Sequence, residues 1–214
     1  MPQIIETTVY RFDELCDRAR ERARLWYRQG AFDHDWCGAT LEDFERVCDI
    51  LGVKLKTRTV GLHGGGTRQD PCIWFTGFWS QGDGACFEGA YVYSKGASAA
   101  IRDYAPKAER LHAVADALQA VQRRNFYQLC ADIRHSGRYC HEYTMSVTVE
   151  RDSANGQEIT ADAEDAVTEA MRDLARWLYR QFETEYDYLS SDEAVDEAIA
   201  ANGYTFTEAG RRFG

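Results

Sequence analysis

The sequence predicts an α+β fold: an antiparallel sheet of about five strands, helices packed mainly on one face, and a long C-terminal helix. Three observations point there. Helical stripes and strand-like runs follow one another in mixed order, without the regular strand–helix alternation that builds a parallel sheet. Two aromatic-rich runs within Ile73–Tyr93 flank a glycine-rich centre, Ser80-Gln81-Gly82-Asp83-Gly84. A long amphipathic stretch, Thr160–Leu189, lies near the end of the chain.

Taken in order, Ile4–Tyr10 is a short β-prone run, and Asp13 is placed to cap a helix with the stripe Leu15, Ala19, Ala23, Trp26 and Tyr27. A second helix starts near Thr40, buries Leu41, Phe44, Val47, Cys48 and Leu51, and stops at Gly52. Val53–Val60 alternates as a strand that puts Lys54, Lys56 and Arg58 on one face, and Leu62–Pro71 reads as a loop. The aromatic pair of strands follows. Pro106 suits the first turn of a third helix, striped by Leu111, Val114, Ala115, Leu118 and Val121. Tyr127–Arg134 and Arg138–Val149 then form a hairpin around His135-Ser136-Gly137. In the long helix, Val167, Ala170, Met171, Leu174, Leu178 and Phe182 make the buried stripe, with Trp177 beside it. Ser190 and Glu193 form a capping box for a short helix to Ala201, and Tyr204–Thr207 adds a last strand.

With 214 residues, 44% of them hydrophobic and 28% charged, the chain has the make-up of one globular domain, 1–214, on which an acidic helical region, 158–201, packs. No apolar run approaches the roughly 20 residues that span a bilayer. The start of the chain lacks the basic and apolar regions of a signal peptide, so a cytoplasmic location is expected, and the seven cysteines, with no C-x-x-C pair, read as reduced thiols. Charge is localised: Glu150–Ala200 holds 15 acidic and 4 basic residues, whereas the remainder is balanced to within one charge. That pattern disfavours nucleic acid as a partner and favours a protein.

Several groups could carry chemistry. Asp83 could act as a base or ligand and Ser80 as a nucleophile, but the loop matches neither a phosphate-binding loop nor a nucleophile elbow, and Asp-Gly is a hairpin signal. Asp83 with His141 or Glu142 would make a small hydrolytic site only if the three converged. Asp33-His34-Asp35 is read as solvated loop chemistry. Cys130, His135, Cys140 and His141 fall within twelve residues, yet on a continuous strand Cys140 and His141 point to opposite faces, so no metal and no cofactor are expected. A third reading, a single-strand nucleic-acid module, rests on Lys54, Lys56, Arg58, Arg68, Arg123, Arg124, Arg134 and Arg138. The residues favoured for partner contact are Trp74, Trp79, Ser80, Gln81 and Asp83, together with Asp162, Asp165, Glu169 and Asp173 on the long helix. Those carboxylates could imitate a phosphate backbone.

Nearly the whole chain resembles a family of small phage and prophage proteins labelled antitoxin-like proteins of toxin–antitoxin stability systems. The stretches that carry the resemblance are FDELCDRARERARLWYRQGAFDHDW (Phe12–Trp36), FTGFWSQGDGACFEG (Phe75–Gly89), YSKGASAAIRDYAP (Tyr93–Pro106), RRNFYQLCADIRHSGRYCHEY (Arg123–Tyr143) and LSSDEAVDEAIAANGYTFTEAGRR (Leu189–Arg212). The resemblance implies a non-enzymatic inhibitor that occupies a partner protein, either a toxin or a host-defence system such as a CRISPR effector. It implies no catalytic residue.

Overall fold

A computed structural model describes residues 6–32 and 36–214. The predicted strand residues Ile4 and Ile5, and the Asp33-His34-Asp35 loop, lie outside the described residues. The first elements are β1 (Tyr10–Arg11), α1 (Asp17–Ala31), α2 (Gly38–Leu51), β2 (Val53–Leu55), β3 (Thr57–Gly61) and β4 (Thr67–Pro71). The middle of the chain gives β5 (Ile73–Phe75), β6 (Ala85–Phe87), β7 (Gly89–Val92), α3 (Ala97–Tyr104), α4 (Glu109–Arg124), β8 (Leu129–His135) and β9 (Met145–Arg151). The last are α5 (Ala163–Ser190), α6 (Asp192–Ala201), β10 (Thr205–Phe206) and β11 (Arg212–Phe213). The α+β class and the long C-terminal helix are therefore present. Among the described residues, in place of one five-stranded sheet there is a four-stranded antiparallel sheet, ordered β2-β7-β8-β9, with three smaller sheets.

By contacts the chain forms two compact units, Thr40–Phe182 and Met1–Ala39 with Glu183–Gly214. In the latter, β1, β10 and β11 make a small sheet, and Phe12, Leu15, Ala19 and Ala23 bury against Val195, Ile199 and Phe206. Arg24 holds both carboxylate oxygens of Asp196 at 2.6 Å, a bidentate pair joining α1 to α6. Asp13 does not cap α1. A 3-10 turn over Phe12–Glu14 intervenes, Leu15 is extended, and Cys16 stands at the helix start. In this arrangement Phe12 and Leu15 are both buried in the core. Ser191, one residue later than expected, caps α6 by accepting from the Ala194 amide, since α5 continues through Ser190.

In the larger unit, strand alternation buries one face of the four-stranded sheet: Tyr91 on β7, Leu129, Ala131 and Ile133 on β8, and Met145, Val147 and Val149 on β9. α2, α4 and the first part of α5 supply the facing apolar residues, among them Phe44, Leu118, Leu174 and Trp177. The opposite face, with Ala90, Asp132, Arg134, Ser146 and Thr148, is open, and two shallow hollows of about 530 and 540 Å³ lie along it.

Several expectations change here. The predicted strand Val53–Val60 is two strands, because at Lys56 the backbone leaves β7 and turns to β4. There the Lys56 N–H donates to the Glu88 carbonyl, while its own carbonyl accepts from the Cys72 amide. The second half of the predicted 62–71 loop, Thr67–Pro71, is β4. Pro106 precedes rather than opens α4, and α3 was not anticipated: its eight residues are too few for a clear period. The predicted strand Arg138–Val149 starts only at Met145. Residues 136–141 form a loop and Glu142–Thr144 a 3-10 turn, and Tyr127 lies before β8 with φ of 63°.

Candidate functional site

The segment 73–87 builds two adjoining features: a projecting loop and a buried cysteine beside a histidine. β5 and β6 pair with Ile73 opposite Phe87, Trp74 opposite Cys86 and Phe75 opposite Ala85. Residues 76–84 connect them. This connection is braced from within and from α5. The Asp83 carboxylate accepts from the Trp79 amide at 2.9 Å and the Ser80 amide at 2.6 Å. The Tyr179 hydroxyl donates to the Gly77 carbonyl at 2.9 Å, Phe78 lies against Tyr179, and Phe75 stacks on Phe182 with ring centroids 4.3 Å apart. Trp79 is nonetheless 81% exposed, with Ser80 and Gln81 beside it on the surface. Trp74 differs: half-buried, it lies against the His135 ring at 5.2 Å and under the Arg58 guanidinium at 5.5 Å.

Hydrogen bonds from the Ser80 and then the Trp79 amides hold the Asp83 carboxyl below its ordinary value of 3.8. A depressed carboxyl contributes order that is complete above the unfolded value and is lost as pH falls through the folded one. An NMR titration of the Trp79 and Ser80 amides should therefore show one acid transition with its midpoint below 3.8, absent from Asp83→Ala. A midpoint at or above the ordinary value would mean that the carboxylate does not hold the loop.

The acidic residues of the long helix, and Asp162 just before it, are largely engaged. Asp162 bonds Arg124 at 2.5 Å, Glu169 bonds Arg176 at 2.6 Å, and Asp173 also bonds Arg176; Asp165 is exposed in the first turn. The carboxyls of Asp162 and Glu169 are held low, the first by the Thr160 hydroxyl with Arg124 adding, the second by Arg176. Arg176 also meets Glu142 at 3.1 Å, which ties the 3-10 turn to α5. The groups of the hydrolytic reading are each committed elsewhere: Asp83 to its own loop, Glu142 to Arg176, and the His141 Nδ1 to the Tyr143 amide at 3.2 Å. Four of the eight basic residues are similarly paired: Lys56 with Glu88 at 2.6 Å, and Arg68 with Asp70, Arg124 with Asp162 and Arg134 with Asp132, all at 2.5 Å.

One constellation escaped the sequence. Cys86 of β6, His135 at the end of β8 and Cys140 of the following loop bring one sulfur or nitrogen each to within 4.8 Å of one another. Cys86 is fully buried, and burial first, then Cys140 alongside, pushes its thiol up to about 12, so it is no nucleophile at neutral pH. Strand parity does not constrain Cys140 and His141, because residues 138–141 are not strand. Of the other two predicted members, Cys130 bonds the Glu150 carbonyl across the sheet and His141 caps the 3-10 turn. Cys86 was hidden by its separation from the others along the chain: only the fold brings β6 to β8.

No curated protein and no solved structure matches this chain. A family model does, over residues 36–192, which include the braced loop, the cysteine–histidine cluster and the whole of α5. By that match the chain belongs to DUF8835, a domain of unknown function.

Proposed function

We propose that this protein is a non-catalytic binding protein of inhibitor type, which seats a partner protein on the loop 76–84. The observation that carries the reading is Trp79, 81% exposed at the tip of a loop whose backbone is fixed by Asp83 and by Tyr179. A large aromatic held in water on a preordered loop is the form of a binding anchor: its burial contributes on docking, and little loop entropy is lost. Ser80 and Gln81 supply polar contacts at its rim, and Asp83 acts by shaping the loop.

The acidic residues Asp162, Glu169 and Asp173 already hold arginines, which weakens them as a phosphate mimic and favours the loop as the contact. Toxins and host-defence effectors, the partners implied by the phage-family resemblance, are the first to try. Binding partners captured from a host lysate by the wild-type chain should be lost with Trp79→Ala. The affinity of the isolated pair should fall by about 2 kcal/mol, roughly thirtyfold in Kd. Charge reversal at Asp165 and Asp173 should change it far less. A partner held equally well by the Trp79 variant would overturn the reading.

A further inference from the structure

We infer that Cys86, His135 and Cys140 are the protein ligands of a zinc ion. The three come from separate segments, and their donor atoms already lie within 4.8 Å of one another. Tetrahedral zinc with bonds of about 2.3 Å sets its sulfur ligands about 3.8 Å apart, so closure around the ion asks for a movement of about 1 Å at most. Two thiolates and an imidazole are a borderline-soft donor set suited to Zn(II) rather than to magnesium or calcium. On binding, each thiol gives its proton to solvent and forms a Zn–S bond. The charges of two thiolates and one dication cancel, so the buried Cys86 is not left with an uncompensated charge.

The surroundings prepare the histidine for that role. The Thr144 hydroxyl donates to the His141 carbonyl at 2.7 Å, so toward the His135 Nδ1, 3.0 Å away, it acts as acceptor. Nδ1 therefore carries the proton and Nε2 the lone pair, the arrangement in which a second hydrogen bond fixes the tautomer of a ligating histidine. Trp74 lies against the same ring at 5.2 Å and limits its rotation. Gly84 lets the Cys140 loop down onto β6: a Cβ there would fall 2.6 Å from the His141 Cβ and 3.2 Å from the Cys140 carbonyl oxygen. Three protein ligands leave a fourth position for water. Cys140 and His135 are only half-buried, which gives the ion a way in.

The test is zinc and cobalt(II) binding to the full-length chain, purified reduced, with metal content by mass spectrometry and affinity by competition with a metallochromic indicator. The wild type should bind one zinc per chain and, with cobalt(II), show thiolate charge-transfer and tetrahedral d–d absorption. Cys130→Ser, outside the cluster, should behave the same. Cys140→Ser and His135→Gln should lose stoichiometric binding and the cobalt spectrum. Because Cys86 is buried in β6, Cys140→Ser in the loop carries the test, with circular dichroism as the check that it folds. Thr144→Val, which keeps all three ligands, should weaken zinc by about 10- to 100-fold. Zinc held equally by wild type and Cys140→Ser, or by neither, would overturn the site. So would a Cys86–Cys140 disulfide forming in air in the presence of excess zinc, seen as two fewer titratable thiols, which would make the pair a redox couple instead.

Discussion

Gln122→Met should lower the stability of the unit Thr40–Phe182 by about 3–5 kcal/mol, a loss large for one conservative substitution. Gln122 is fully buried near the end of α4, and its amide acts as a strand neighbour for the first residue of β8. Its Oε1 accepts from the Leu129 amide at 3.1 Å, and its Nε2 donates to the Leu129 carbonyl at 2.8 Å and to the Tyr91 hydroxyl at 3.2 Å. The chain between them is tight: Phe126 and Tyr127 both have positive φ, and the Tyr127 amide bonds the Gln122 carbonyl at 2.7 Å. Methionine keeps the volume and removes all three side-chain bonds. A buried group left without a partner costs about 1–3 kcal/mol, and three groups are left here. Because two compact units need not unfold together, the readout is hydrogen exchange at Leu129 and along β8 and β9, alongside the urea midpoint. Protection of the Leu129 amide unchanged in the variant would show that another acceptor replaces the glutamine.

Much of the fold was legible because its signals are local. The stripes of α2, α4 and α5 are where their periodicity put them, Gly52 ends α2 with φ of 84°, and the buried residues Leu129, Ala131 and Ile133 follow the alternation expected of β8. What misled were places where a tertiary partner decides the path of the backbone. Tyr139, His141 and Tyr143 alternate like a strand, yet the Ser136 amide bonds the Thr144 carbonyl and the Thr144 hydroxyl bonds His141, which closes the segment into a loop and a 3-10 turn. Val53–Val60 reads as one run, but Lys56 divides its backbone bonds between Glu88 and Cys72. No propensity scale encodes either choice.

The candidate sites show the same division. Trp79 and Asp83 could be selected from sequence because a tryptophan beside Ser-Gln-Gly-Asp-Gly signals an aromatic on a turn. That the Asp83 carboxylate serves the Trp79 and Ser80 amides could not be read there. His135 and Cys140 were visible as a close pair. Their third member lies 49 residues before His135 in the sequence, on a strand whose only marked feature is that it is apolar. The acidic residues were legible as a charge block, whereas their arginines sit at helical spacing or on other elements, and only Arg172, Arg176 and Arg180 could be paired in advance.

Gly84→Ala should strike fold and metal site together. Gly84 has no unusual φ, so the effect is one of space. The new Cβ would stand 2.6 Å from the His141 Cβ and 2.8 Å from its Cα, atoms fixed to backbone that cannot swing aside. Gly84 cannot retreat freely either, since its carbonyl accepts from the Thr76 amide at 3.1 Å where the connection joins β5. The 140–141 segment must therefore move, at a cost of about 1–3 kcal/mol. Cys86 is two residues further along the chain, so lifting Cys140 away widens a separation that zinc must close. Gly64→Ala is the control: its Cβ meets nothing within 4 Å, and the change should stay within about 0.5 kcal/mol. Urea midpoints measured with and without zinc separate the two effects. Metal-free Gly84→Ala should fall below Gly64→Ala, and adding zinc should restore less stability to it than to the wild type, because ligands held too far apart bind the ion more weakly. If zinc stabilised both chains equally, the close approach of Gly84 would matter to packing alone, and the position of Cys140 relative to Cys86 would have to be set by Thr144 and the 3-10 turn.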